Sequence, residues 1–176
     1  MIIHEMTTQE CEEFLKRMTF GRLACALDNQ PYVVPIYFAF DGHHVYCFST
    51  VGQKIDWMRT NPLVCLEVDE VVNHLNWTSV VALGRYEELC DDPACVNSRQ
   101  YALDWLQKRA MWWQPAYVVS EHRGSQDPLT PVFYKIWIDQ ITGHQGMPDS
   151  VEATATKIVS GIGAKRRWSL FSRLFS

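Results

Sequence analysis

The sequence is short of the features that announce several common functions. It has no run of apolar residues long enough to span a bilayer: the most apolar stretch, Val33 to Phe40, is eight residues long and contains Pro35, against the roughly 20 a transmembrane helix needs. No C-x2-C pair occurs among its cysteines at 11, 25, 47, 65, 90 and 95, which argues against structural zinc, and most of them sit inside apolar runs as small buried hydrophobes do. No H-E-x-x-H or His-x3-His pair joins the scattered histidines, and no motif orders a Ser-His-Asp triad. The P-loop pattern G-x4-G-K-[ST] is missing, so nucleoside triphosphate hydrolysis is not indicated. Positive charge is scarce as well. The formal net charge is -4, and a protein of that sign repels phosphate backbones, so no nucleic-acid partner is expected. The first ten residues carry His4, Glu5 and Glu10 but neither a basic n-region nor an apolar core, and a cytoplasmic location is expected.

What is present is one domain's worth of amphipathic chain, 176 residues with 47% apolar and 20% charged, enough to bury a core. Thr7-x-x-Glu10 has the form of a capping box. Cys11, Phe14, Leu15 and Met18 follow at the spacing of one buried helical face. Runs rich in β-branched and aromatic residues then succeed one another: Leu23–Leu27, Tyr32–Phe40, His43–Ser49, Leu63–Val71 and Trp77–Leu89. Asp28-Asn29-Gln30-Pro31 and Asp41-Gly42 supply turns, so the pattern predicts an antiparallel meander. Gly52 to Thr60 reads as a short crossover helix closed by Asn61-Pro62. Asp92-Pro93 reads as an N-cap opening a helix to about Gln107, Ser120 to Pro131 as a loop, and Val132–Ile138 as a last strand. Tyr32 to Phe40 shows no polar alternation, so both of its faces must be covered, one by a barrel core and the other by a partner subunit, a helix or a flat apolar ligand. Pro35 within it marks an edge or bulge.

Chemistry concentrates in Ser49-Thr50-Val51-Gly52-Gln53-Lys54. There a strand ends and a helix begins, offering two hydroxyls, helix-start N–H groups, a glycine and one ammonium, the parts of a phosphate cradle; an ordinary capped helix with a solvated lysine is the simpler alternative. His43 and His44 follow the Asp41-Gly42 turn and are read as solvent-exposed, His74 as lying in a strand connection. Glu67, Asp69 and Glu70 alternate with apolar residues as on a half-exposed strand. Trp105, Trp112 and Trp113 are read as packing residues of a core or subunit seam.

The ordered set Gly21-Arg22-Leu23-Ala24, Val33-Val34-Pro35-Ile36, Asp41-Gly42, Ser49-x-x-Gly52-x-Lys54, Asn61-Pro62-x-Val64-Cys65 and Trp77-x-Ser79-Val80-Val81-x-x-Gly84-Arg85 resembles the pyridoxamine 5′-phosphate oxidase-like split-barrel flavoproteins, nearest to the nitroimidazole-resistance (Nim-type) branch. The resemblance implies an α+β fold, an antiparallel split β-barrel of about six strands with flanking helices over residues 1–150, and a homodimer with FMN between its subunits. It implies that Ser49, Thr50 and Lys54, with Gly52 and Gln53 in the same segment, hold the FMN phosphate. It places the backbone at Pro35 and Ile36 along the isoalloxazine, and Trp77 and Ser79 near the ring or ribityl chain. Many members carry arginine before the lysine; Gln53 here removes that charge. The residues that bind substrate phosphate in true pyridoxamine phosphate oxidases find no match. The implied activity is flavin-dependent oxidoreduction of a small organic molecule with NAD(P)H as a plausible donor. A non-catalytic flavin store, or a haem-binding protein on the same fold, are the alternatives.

Residues 151–176 differ from the rest. Five basic residues against Glu152 give this tail +4 and leave -8 for the body. Arg166, Ser169, Arg173 and Ser176 fall on one helical face and Trp168, Phe171, Leu174 and Phe175 near the other, an interfacial-helix pattern. Membrane contact by this tail is a possibility, and a helix docked on the body or a frayed tail is the simpler expectation.

Overall fold

Asp28 and Asn29 adopt φ angles of 50° and 64°, the left-handed pair that a two-residue hairpin turn requires and that Asp and Asn tolerate. This turn joins β2 (Phe20–Leu27) to β3 (Gln30–Phe40), and Leu27 faces Gln30 across it. The next reversal is at Asp41-Gly42, where Gly42 has φ 107° and Asp41 Oδ1 accepts the backbone N–H groups of His43 and His44, both at 2.7 Å. It leads into β4 (His44–Thr50). The remaining elements of this computed structural model, which describes residues 1–89, 96–109 and 130–149, are β1 (Ile2–Glu5), α1 (Thr8–Arg17), α2 (Gln53–Thr60), β5 (Leu63–Asn73), β6 (Asn76–Leu89), α3 (Val96–Leu106) and β7 (Pro131–Met147).

All strand pairings are antiparallel. The order is β1-β7-β4-β3-β2-β5-β6, and β6 also pairs with β7, so six strands close into a barrel and β1 adds a seventh beside the far end of β7. That strand serves two neighbours on one edge because it is 17 residues long: Pro131–Trp137 pair with β4, and residues 144–147 pair with β1. The sequence reading ended β7 at Ile138 and did not find β1. The polar stretch Asp139-Gln140 interrupts the apolar pattern because a register shift lies there: Leu83 faces Gln140 and Gly84 faces Ile138, leaving Asp139 as an extra residue that Arg85 holds by two hydrogen bonds of 3.0 and 2.7 Å. Bulges of this kind bend a strand and let a long sheet curl into a barrel.

The capping box expected at the start of α1 is formed: Thr7 Oγ1 accepts from Glu10 N at 3.3 Å and Glu10 Oε2 from Thr7 N at 2.7 Å. Cys11, Phe14 and Leu15 of this helix are buried in the barrel core with Leu23, Phe38, Phe40, Val45, Leu66, Val80 and Tyr134. Each large side chain so buried contributes about 1.5–3 kcal/mol. A second, smaller cluster outside the barrel wall packs Ala102 and Leu106 of α3 on Ala39, Tyr46 and Phe133, with Trp105 against it. Trp112, Trp113, the expected N-cap at Asp92-Pro93, most of the Ser120–Pro131 loop and residues 151–176 lie outside the described residues. Cys11, Cys25, Cys47 and Cys65 are free thiols.

One expectation is corrected. His43 is exposed, but His44 is not: its ring meets Trp137 edge-on at 4.3 Å between centroids, and Nδ1 lies 3.6 Å from Asp41 Oδ2. The physical reason is register, since His44 is the strand partner of Trp137 and so shares its face. Glu67 and Asp69 are half-buried and Glu70 exposed on β5, as the alternation predicts, and His74 stands exposed in the β5–β6 turn. Among the described residues no helix is long and apolar enough to cross a membrane.

Candidate functional site

The barrel is split where β3 leaves β4. Only Phe38, Ala39 and Phe40 of β3 pair with β4, whereas residues 30–37 pair with β2 alone; beyond Cys47, β4 continues along β7 through Thr50. A cleft therefore opens between the free edge of β3 and the end of β4. Phe38 N donates to Thr19 O on the β2 side at 2.9 Å. Backbone groups alternate direction along a strand, so Val33, Pro35 and Tyr37 turn their peptide groups toward the cleft. Pro35 thus sits where its missing N–H breaks no ladder bond, and its carbonyl, with the N–H groups of Val33 and Tyr37, is available there. Pro35 is exposed, and Ile36 is buried beside it.

The opposite wall is the end of β4 and the start of α2. Ser49 is 3% exposed and its hydroxyl donates to Thr50 O at 3.3 Å. Gly52 is the N-cap of α2 with an extended backbone, no side chain caps the helix, and a Cβ at Gly52 would meet nothing within 4 Å. The Ile55 N–H of the first turn donates back to Gly52 O at 2.9 Å, which leaves the N–H groups of Gln53 and Lys54 as the unpaired donors at the helix start, and orphan donors of this kind with the helix dipole favour an anion. Lys54, in that first turn, is half-buried and forms no ion pair with the described residues. Burial pushes its pKa down from the ordinary value, opposed by the Cys47 and Cys25 thiols beneath it. Burial also raises both thiols, Cys47 to about 12, so neither supplies a counter-charge at neutral pH. A half-buried ammonium without a carboxylate is costly unless an anion joins it. Gln53 is exposed at the same helix start. The helix is held in place by Trp57, whose ring lies 5.6 Å from that of Tyr32, and by Asn61 Nδ2, which donates to Ala26 O at 2.9 Å.

The fold thus places Pro35 and Ile36 on the part of β3 that does not pair with β4, and Ser49, Thr50, Gly52, Gln53 and Lys54 at the junction of β4 and α2. It does not bring Trp77 and Ser79 to either place within a single chain. These lie on β6, with β2 and β5 between β6 and β3, roughly 14 Å away at strand spacing. Trp77 lies over Gly146 of β7, where a Cβ would collide with the indole, and Ser79 Oγ donates to Glu67 Oε1 at 3.2 Å.

That outer face also carries a group the sequence reading did not single out as a site. Arg22, the register partner of Pro35, donates to Glu67 Oε2 at 3.0 Å and to Asp69. These bonds hold its guanidinium protonated above the usual arginine range. The signal was in the sequence as one basic and two acidic residues at alternate strand positions, and only the β2–β5 register, Arg22 against Glu67, shows that they meet. Around this group the outer face is apolar and open, with Phe20, Val33, Leu63 and Leu83 exposed by 43%, 58%, 62% and 45%.

Comparison with known proteins agrees with this architecture. Residues 7–145 match the family described as pyridoxamine 5′-phosphate oxidase. An uncharacterized protein of Rhizobium meliloti is 38% identical over 143 residues, 81% of this chain and 95% of its own. The crystal structure of a FAD-binding protein from Mesorhizobium loti is 39% identical, superposes with a TM-score of 0.68, and is matched over 84% of this chain and 99% of its own. A candidate 5-nitroimidazole antibiotic resistance protein from Bacteroides thetaiotaomicron shares the fold at 21% identity, with a TM-score of 0.55 over 82% of this chain and 89% of its own.

Proposed function

Because this chain belongs to the pyridoxamine 5′-phosphate oxidase family, we propose that it binds a flavin nucleotide, FMN, in the split between β3 and β4 and acts as a flavin-dependent oxidoreductase on a small organic molecule. The observation that carries this reading is the start of α2, which no side chain caps, beside a half-buried Lys54 that forms no ion pair with the described residues, where β3 and β4 part. The phosphate would take the Lys54 ammonium, the first-turn N–H groups and the Ser49 and Thr50 hydroxyls, which neutralises the lysine and satisfies the helix start together. On the facing wall, the Pro35 carbonyl and the N–H groups of Val33 and Tyr37 suit the polar edge of a planar ring. A bound flavin supplies the electron-carrying chemistry, with a nicotinamide nucleotide as its proposed donor, while the protein binds, orients and excludes water.

The same reading makes the protein a homodimer. Exposed Val33, Leu63, Leu83 and Phe20 on one sheet face form the kind of apolar surface that soluble monomers seldom leave uncovered. A second copy on this face is also the arrangement in which Trp77 and Ser79 can act at a flavin. A second cofactor reading, FAD, is favoured by the Mesorhizobium loti relative, solved as a FAD-binding protein, since the same cradle suits one phosphate of a pyrophosphate.

The test is chromatography of the chromophore released by denaturing protein purified from a flavin-replete host. FMN is expected. FAD would establish the second reading, and haem, or a colourless protein that flavin titration leaves unchanged, would overturn both. Reduction by NADH or NADPH followed by reoxidation with an added acceptor separates an oxidoreductase from a flavin store.

A further inference from the structure

Lysines stand at 16, 54, 108, 135, 157 and 165, and the described ones differ in what surrounds their amines. Lys135 Nζ lies 3.0 Å from Glu87 Oε1, Lys108 Nζ sits 3.8 Å from the centre of the Trp105 ring, and Lys16 is exposed beside the Gly42 turn. A carboxylate, a ring face and bulk water each favour the charged form of an amine, which has no lone pair to attack with. Lys54 differs. It is half-buried, forms no ion pair with the described residues, and burial shifts its pKa below the ordinary lysine value, the setting in which lysines act as nucleophiles. The thiols beneath it do not compete, since Cys47 and Cys25 are 0% and 4% exposed and burial raises both. Around the amine stand the Gln53 and Lys54 N–H groups, at a helix start that no side chain caps, with Ser49 and Thr50 at the end of β4 and open space over Gly52. The chain therefore sets an amine nucleophile inside an anion cradle.

We propose that Lys54 is a site of acylation by small acyl phosphates, and that its acylation switches off the phosphate site of the cofactor. The inference rests on the reading of Ser49 to Lys54 as a phosphate cradle. An acyl phosphate carries a terminal phosphate as FMN does, so the helix-start N–H groups and the hydroxyls would hold it in the same way. Its carbonyl carbon is one bridging oxygen from phosphorus. That puts the carbonyl beside any amine that touches the phosphate, and attack within one complex replaces a bimolecular encounter. In the step, the Lys54 nitrogen forms a C–N bond to the acyl carbon, and the C–O bond to phosphate breaks with its electron pair going to phosphate. The proton lost by the nitrogen leaves on hydrogen phosphate, so the step is balanced without an oxidant or a reductant. The amide formed is neutral. Because Gln53 beside it is uncharged, the helix start then has no cation for FMN, and bound FMN in turn occupies the place an acyl phosphate needs. Cofactor loading and acylation exclude each other.

The test is peptide mass spectrometry of the full-length, flavin-free protein after incubation with acetyl phosphate, alone and with FMN, riboflavin or inorganic phosphate. Lys54 is expected to be acetylated about tenfold or more faster than exposed Lys16, with FMN and inorganic phosphate slowing the reaction and riboflavin leaving it unchanged. Acetic anhydride, an acetyl donor without a phosphate, should remove the preference. After acetylation, FMN affinity should fall by about tenfold or more while riboflavin affinity stays. Lys54→Arg, which keeps a cation but no primary amine, should have the same FMN affinity before and after treatment. Acetylation of Lys54 no faster than of Lys16, or a loss of FMN affinity as large in Lys54→Arg, would overturn the proposal and leave the cradle standing where untreated protein still prefers FMN to riboflavin. Fast acetylation of Lys54 that neither FMN nor phosphate slows would overturn the proposal and the cradle together.

Discussion

Phe38 and Cys47 are the last strand partners between β3 and β4. Beyond them β3 stays with β2 and β4 stays with β7, and the groups proposed to hold a flavin, apart from Trp77 and Ser79, lie on β3, the end of β4 and the start of α2. Both residues are buried, at 1% and 0% exposure, so the parting point is anchored in the core.

The barrel's closure depends on the bulge opposite Asp139. A Cβ at Gly84 would collide with the carbonyl of Trp137 and come within 2.9 Å of Ile136 Cγ2, and backbone cannot yield as a flexible side chain does. Gly84→Ala is expected to cost about 2–4 kcal/mol, read as a lower denaturation midpoint with a similar slope. A loss below about 0.5 kcal/mol would show that β6 and β7 separate more easily than their register implies.

Glu88 accepts two hydrogen bonds from Arg59, both at 2.8 Å, and one from the Tyr86 hydroxyl at 2.8 Å, and these bonds hold its carboxyl below the ordinary value of 4.5. A depressed carboxylate stabilises the folded state above its unfolded pKa and loses that contribution as pH falls through the folded value. Glu88→Gln should therefore destabilise the protein by about 1 kcal/mol at pH 7, a figure kept small because the pair is partly solvated. The difference between the two proteins should close as the pH is taken below 4.5. Denaturation curves at several pH values test this, and a gap that widens toward acid would contradict it.

The proposed homodimer is tested on its apolar face. Val33→Asp together with Leu63→Asp places two carboxylates on neighbouring parts of an outer surface where both native side chains are more than half exposed, so the single chain should fold as before. Light scattering should report a dimer for the native protein and a monomer for the double variant. A native monomer at micromolar concentration would refute the interface.

Much of this was legible in the sequence for identifiable reasons. The Thr7 and Glu10 box, the Asp41-Gly42 turn and the Gly52–Thr60 helix are local signals, settled within a few residues, and each is present as expected. The junction of strand end and helix start between Ser49 and Lys54 was legible because the two signals are adjacent in the chain. What escaped was non-local. Ile2 to Glu5 is too short to show a strand's alternation and is a strand only because β7 runs on past Ile138 to offer it an edge. His44 beside a turn looks solvent-exposed until the β4–β7 register sets it against Trp137. Arg22, Glu67 and Asp69 are ordinary surface charges in the sequence and become a bonded group only through the pairing of β2 with β5.

Lys54 is where the account is most exposed to test. Its ammonium is the one cation at the start of α2, with neutral Gln53 before it, and a hydrogen bond to a charged group contributes about 1.5–3 kcal/mol. Burial holds its pKa below the ordinary lysine value, so affinity for the phosphate should also fall as pH rises through that lowered pKa. The decisive measurement is titration of apoprotein with FMN and with riboflavin, which lacks the phosphate, in the native protein and in Lys54→Ala. FMN binding should weaken by roughly 10- to 100-fold while riboflavin binding stays unchanged. Equal weakening of both ligands, or FMN binding that the substitution leaves intact, would contradict this and reduce Ser49 to Lys54 to the beginning of an ordinary helix.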